Sequence, residues 1–141
     1  MRVAVIRIFA AYERGLSAIA SATQGHDRAG ALRAADRFAR ALARERVPYG
    51  RAMGHLVRAG VHAARGHAAR AAEALDAAVP LLDSADLGYL AACARYRRGQ
   101  LVGGDRGCDE MERSRSFFSA QGVSNVERCL AMSVPGFEGV H

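Results

Sequence analysis

Three sets of residues in this 141-residue chain have types that could do chemistry: five His with three Cys, an acidic run at Asp109, Glu110 and Glu112, and rows of Arg. A zinc site is not expected, because His62 and His67 stand five apart with Gly66 between them, no His-Glu-x-x-His occurs, and Cys93, Cys108 and Cys129 have no ligand spacing. Nor is a nucleophile apparent. There is no Gly-x-Ser-x-Gly, and each Cys falls at or beside an apolar helix face, where it reads as a small buried hydrophobe. The three carboxylates fit the first turns of a helix, where the dipole favours anions, and Asp109 stands four before Arg113, so an acid/base pair is not needed to explain them. All 20 basic residues are Arg; without Lys there is no P-loop, no Lys Schiff base and no kinase strand Lys. The expectation is a chain that is not an enzyme, with no cofactor, no metal and no small-molecule substrate.

What remains is the Arg rows. Arg51, His55, Arg58 and His62 step along one helix face at spacings of four, three and four, backed by Arg37, Arg40 and Arg44 on the preceding segment. Guanidinium groups clamp carboxylates and phosphates by paired hydrogen bonds, so these seven residues are the expected partner-binding set, the partner being an acidic or phosphorylated protein segment. If the His residues take part, such a ligand should hold more tightly below about pH 6.5. The alternatives are that Arg only solvates an Ala-rich surface, or that the rows bind nucleic acid. The latter is the less favoured, since Tyr49 opens its helix and Phe38 is on the apolar side, leaving no base-stacking aromatic on these faces. Charge is uneven: residues 1–70 hold 13 Arg and 4 acids, residues 71–141 hold 7 Arg and 10 acids.

The elements that position these rows are helices throughout. Val5, Phe9, Tyr12, Leu16 and Ile19 trace an apolar stripe over residues 2–23, stopped by Gly25. Ala31, Ala35, Phe38 and Leu42 face inward on a second helix that Val47-Pro48 ends. The third buries Met53, Leu56, Val57, Gly60 and Ala64 and turns Arg65 outward with the Arg/His row. The fourth runs from about His67 to Leu82, with Pro80 near its end. The fifth spans about 87–102 with Asp86 as N-cap; the sixth follows Asp105 and buries Cys108, Met111 and Phe118; a short seventh covers 125–131. Gly25-His26, Gly66-His67 and Gly104-Asp105 recur 41 and 38 residues apart, Tyr49 matches Tyr89, and Gly60 matches Gly99. A period near 40 with two amphipathic helices per unit predicts an all-α fold: antiparallel hairpins at about 2–46, 48–83 and 87–121 and a cap at 122–141, stacked as a short right-handed α-solenoid in one domain. In such stacks the first helices of successive units line a concave surface, which is where the Arg/His row is expected. Val3, Ile6 and Ile8, beyond the apolar stripe, are expected to be exposed, which would suit an end cap or dimerisation surface.

The Gly66-His67-Ala68-Ala69-Arg70-Ala71 run, with Leu75 and Ala78 after it, resembles the turn and second helix of tetratricopeptide repeats (TPR), although the period exceeds that family's 34 residues. The tail, Ser116-Phe117-Phe118-Ser119-Ala120-Gln121-Gly122-Val123-Ser124-Asn125 with Glu127-Arg128 and Pro135-Gly136-Phe137, resembles the C-terminal end of large myxobacterial-type signalling proteins. In that family a Ser/Thr kinase domain and an ATPase-like module precede a helical-repeat region. The resemblance implies a repeat region of bacterial signalling proteins, with the rest of a larger kinase/ATPase protein as a partner. No kinase motif stands in this chain, so no catalytic residue carries over. The apolar stretch after Arg2 is broken by Arg7, Glu13 and Arg14, unlike a signal peptide, and no stretch approaches bilayer length, so a cytoplasmic location without membrane association is expected.

Overall fold

In the computed structural model, which describes residues 2–25 and 27–140, seven helices follow one another with short connections. They are α1 (Arg2–Thr23), α2 (Arg28–Ala43), α3 (Pro48–Ala64), α4 (Ala68–Ser84), α5 (Gly88–Val102), α6 (Gly104–Ala120) and α7 (Val126–Ser133). Each of the first five packs on the next, giving the expected all-α stack of helical hairpins, α1 also packs directly on α3, and α7 packs on α5. His26, part of the first repeat signal, lies outside the described residues.

The breaks are made by the residues that spacing singled out. Gly25 and Gly66 take positive φ (86° and 79°) where helices end, a conformation that costs glycine little. Pro48 opens α3 at a position where its missing N–H has no helical partner to lose. Asp27 caps α2, accepting from the Gly30 N–H at 3.3 Å, and Asn125 caps α7, accepting from the Arg128 N–H at 3.0 Å. Asp86 is not the cap of α5: it holds φ 60° in the preceding turn, an Asp-tolerated left-handed position, and Leu87 takes the N-cap place. Pro80 is exposed inside α4, and the helix continues past it to Ser84, so the proline does not end it.

One continuous apolar cluster runs from α1 to the C-terminal segment. On α1 the buried face is Ile8, Tyr12, Gly15, Ile19 and Ala22, not the stripe through Val5 and Phe9, which are 42% and 43% exposed. Gly15 explains the rotation: a Cβ there would meet Val57 Cγ1 at 3.0 Å, so α3 sits closest over the glycine side and draws Ile8 inward with it. Val3 and Ile6 are exposed as expected, while Ile8 is fully buried. A similar close approach turns Cys108 out to solvent. Gly107 of α6 abuts Gly99 of α5, so the next residue points away from the core. Leu32 rather than Ala31 is buried on α2, and Ala64, the last residue of α3, is only half-buried. Gly60 and Gly99 are not equivalent either. Counted from the helix starts, Gly99 matches Ala59, and the two glycines meet different neighbours, Gly60 the C-terminal segment and Gly99 helix α6.

Candidate functional site

The Arg/His row of α3 does form a groove, but with different walls from those expected. Arg58, His55 and His62 are its floor, Asp36 and Arg40 of α2 one wall, and Arg70, Glu73, Ala74 and Ala77 of α4 the other, with Arg65 at the C-terminal end of α3; together they enclose about 630 Å3. The groove therefore opens between the second helices of two hairpins. The first-helix side, where the row was expected, belongs to the opposite face of α3: Gly60 stands two residues from both Arg58 and His62, about 200° around a helix of 100° per residue, and carries the chain's C-terminal segment.

Of the residues expected to bind, the structure brings together Arg40, His55, Arg58 and His62. Arg51 is diverted: its Nη1 donates to the Glu45 and Arg46 carbonyls at 3.2 and 2.6 Å, tying the first turn of α3 to the connection that precedes it. Arg44 lines a separate hollow with Arg7 and Glu45, and Arg37 is exposed outside the groove. Arg65 and Arg70, absent from the expected set, complete it. The contribution of Arg70 follows from the fold, since α4 is brought beside α2 only by the packing of both on α3.

Electrostatically the groove has four guanidinium groups and two carboxylates. Arg40 is paired with Asp36 at 3.0 Å, and among the described residues Arg58, Arg65 and Arg70 form no ion pair or hydrogen bond. His55 is held below its ordinary value near 6.5 by burial first, then by Arg58 and Arg51. His62 is held below it too, by burial, Arg70, His67 and Arg58, with Asp36 opposing. Its Nδ1 is buried without a hydrogen-bond partner. Burial and, after it, the neighbouring guanidinium groups both disfavour the imidazolium form of the two side chains.

The same junction exists one unit further on. Helices α2 and α4 begin 40 residues apart, as do α3 and α5, while α4 and α6 begin 36 apart. In this register Met53, Leu56 and Val57 match Cys93, Tyr96 and Arg97, and Ala71, Ala78 and Leu82 match Gly107, Ser114 and Phe118, all buried. Asp36 then corresponds to Asp76, Arg58 to Arg98, and Ala74 to Glu110. Arg98 is saturated: Nη1 donates to Asp76 Oδ1 at 2.8 Å, Nη2 to Glu110 Oε1 at 2.6 Å and Nε to Glu110 Oε2 at 3.0 Å. Arg58 has no counterpart to Glu110, and its Asp36 is engaged by Arg40.

The other candidate chemistries find ordinary places. Glu110 serves Arg98, and Glu112 lies 3.7 Å from Arg115; Asp109 and Arg113 are not an ion pair. Burial pushes the Cys93 thiol up to about 12. Among the described residues no three His, Cys, Asp or Glu side chains are grouped to hold a metal ion, and no helix is long and apolar enough to cross a membrane. Comparison of the chain with family models, with curated proteins and with solved structures gives no match.

Proposed function

We propose that the α2–α3–α4 groove binds an acidic or phosphorylated segment of another protein, and that the chain is a non-catalytic, TPR-like interaction scaffold. The observation that supports this reading is the carboxylate missing at Arg58. Where the same junction recurs, an intramolecular Glu neutralises the arginine; here the place is held by Ala74, and the surrounding Arg65 and Arg70 are also unpaired among the described residues. A ligand carboxylate or phosphate would supply that anion through bidentate hydrogen bonds. The resemblance of the tail supports a setting in bacterial signalling, in the cytoplasm, beside or within a larger kinase- and ATPase-containing protein.

Fluorescence polarisation with phosphoserine-containing acidic peptides, their unphosphorylated forms and a duplex DNA of matched charge tests the reading. Binding of a peptide that depends on its sequence and is lost at least tenfold in Arg58→Ala supports it. The groove contains no Phe or Tyr on which a base could stack. Tighter binding to any duplex than to every peptide, with a steep loss on adding salt, would replace the reading with a nucleic-acid one. Equal affinities for wild type and Arg58→Ala would leave the row as solvated surface.

A further inference from the structure

The last residue of α7 and the segment after it cross the first helices of all three hairpins. Tyr12 of α1 donates its hydroxyl to the Ser133 carbonyl at 2.5 Å, and Arg97 of α5 donates Nε to the Val134 carbonyl at 3.0 Å. Gly60 of α3 lies against Pro135 and Gly136, so close that a Cβ there would stand 2.5 Å from Pro135 O. Phe137, 2% exposed, lies beneath the Arg97 guanidinium, 4.9 Å from its ring centroid. A glycine in mid-helix weakens a helix, and at residue 60 it is what gives the segment room. Helix α1 packs on α3, but α3 and α5 make no comparable contact among the described residues; the segment fills that gap.

The mode of holding is that of a bound peptide. Its polar contacts are made to main-chain carbonyls, which any peptide offers, and one aromatic side chain serves as anchor. Arg97, 9% exposed, donates to the Val134 carbonyl and to Gln100 Oε1 at 3.0 Å and lies over the Phe137 ring, with the Glu138 carboxylate of the same segment favouring its charge. Toward its end the segment is poorly filled in. A cavity of about 520 Å3 lies under Gly136–Val140, bounded by Arg28, Ala63, Ala64 and Leu101, and a Cβ on Gly139 would meet nothing within 4 Å.

The geometry points to a second binding surface: the face shared by α1, α3 and α5 is a groove for a turn-forming peptide with an aromatic anchor, and residues 133–140 of this chain are its resident, releasable occupant. This site is separate from the Arg/His groove, on the other side of α3. A competing segment must offer a carbonyl to Arg97 and a ring beneath it.

Two measurements on the full chain test this. Hydrogen exchange of the wild type should show the Val134 and Val140 amides, which donate to Leu130 O and Phe137 O, exchanging at least tenfold faster than the amides of α3. Exchange at the rate of α3 means that the segment opens only with the whole fold, and overturns the proposal. In the second, a fluorescent peptide of residues 131–140 should bind Phe137→Ala at least tenfold more tightly than wild type, and adding Gly60→Ala should abolish that gain. A folded Phe137→Ala chain that binds the probe no better than wild type also overturns it; should that variant fail to fold, the exchange result decides. Arg58→Ala should change neither readout, which keeps this test independent of the peptide-binding reading of the other groove.

Discussion

The α2–α3–α4 and α4–α5–α6 junctions have the same construction and opposite electrostatic outcomes. In the second, Arg98 reaches a carboxylate on each flanking helix and is spent on holding α4, α5 and α6 together. In the first, Arg58 sits at the corresponding position, its α2 carboxylate is taken by Arg40, and the α4 position is Ala74. Two side chains in a repeated frame, Arg40 where the next unit has Pro80 and Ala74 where it has Glu110, thus separate an arginine that stabilises from one left available. The pair also shows why abundance of Arg says little by itself: the basic residues with most influence on the fold, Arg97 and Arg98, lie in the half of the chain richer in acids.

The largest effect is expected from opening the closed junction. Glu110 and Arg98 are only 18% and 24% exposed at their side chains, so Glu110→Ala leaves a partly enclosed guanidinium with Asp76 as its one remaining carboxylate and with two of its donors unmet. Unfolding in urea should show a loss of about 2 kcal/mol, in the range for a charge-assisted bond whose partner is left unmet. The same variant should acquire weak anion binding at the α4–α5–α6 junction. A loss under about 0.5 kcal/mol would mean that the ion pair contributes as little as an exposed surface pair, and would remove the contrast.

The converse change closes the open junction. Ala74→Glu places a carboxylate where Glu110 stands in the next unit, within the reach of Arg58. Peptide affinity should fall at least tenfold, about 1.4 kcal/mol, while unfolding in urea stays unchanged or shifts slightly upward. If Ala74→Glu binds acidic peptides as wild type does, Arg58 is not the centre of the site. Arg51→Ala gives a smaller effect of the other kind: loss of the hydrogen bonds to the Glu45 and Arg46 carbonyls should cost about 1 kcal/mol of stability and leave peptide affinity as it was.

Arg51 also marks how far spacing could go. The Gly and Pro breaks and the apolar periods gave the six main helices, and the row His55, Arg58, His62 was legible because a helix face is a local property. Arg51 lies on the same face, yet the connection just before α3 turns its Glu45 and Arg46 carbonyls toward Nη1, a local loop geometry that helical spacing does not report. Arg65 was legible too, three residues after His62 on the same face, but Arg70 and the absent carboxylate at Ala74 depend on the meeting of α2 and α4 across α3, and no spacing within one segment reports that. A signal was present in the repeat itself: Asp36 and Arg58 recur as Asp76 and Arg98 at the same interval, whereas no acid in α4 answers to Glu110. The C-terminal segment was legible only as a cap. It has no period, and the burial of Val134 and Phe137 follows from Gly60 and Arg97, far away in sequence.

The smallest effect, and the one that separates the two junctions most cleanly, is in pH. His55 and His62 border only the open one, and both titrate below their ordinary 6.5 because burial and nearby guanidinium groups disfavour the imidazolium. The unfolded chain therefore binds protons first as pH falls, so their contribution to stability is complete above about 6.5 and is lost as pH drops through the lowered folded values. A bound carboxylate reverses the local field and raises both groups, so binding should strengthen a few-fold over the same interval and relax again as pH rises through the values of the complex. The two slopes have opposite sign and one origin. An acidic peptide without phosphate is the appropriate ligand, since its carboxylates stay charged to about pH 5 whereas phosphate begins to protonate near pH 6. His55→Gln combined with His62→Gln should flatten both the affinity profile and the stability profile between pH 8 and about 5. A double variant that retains the affinity slope would place the titrating group outside the groove.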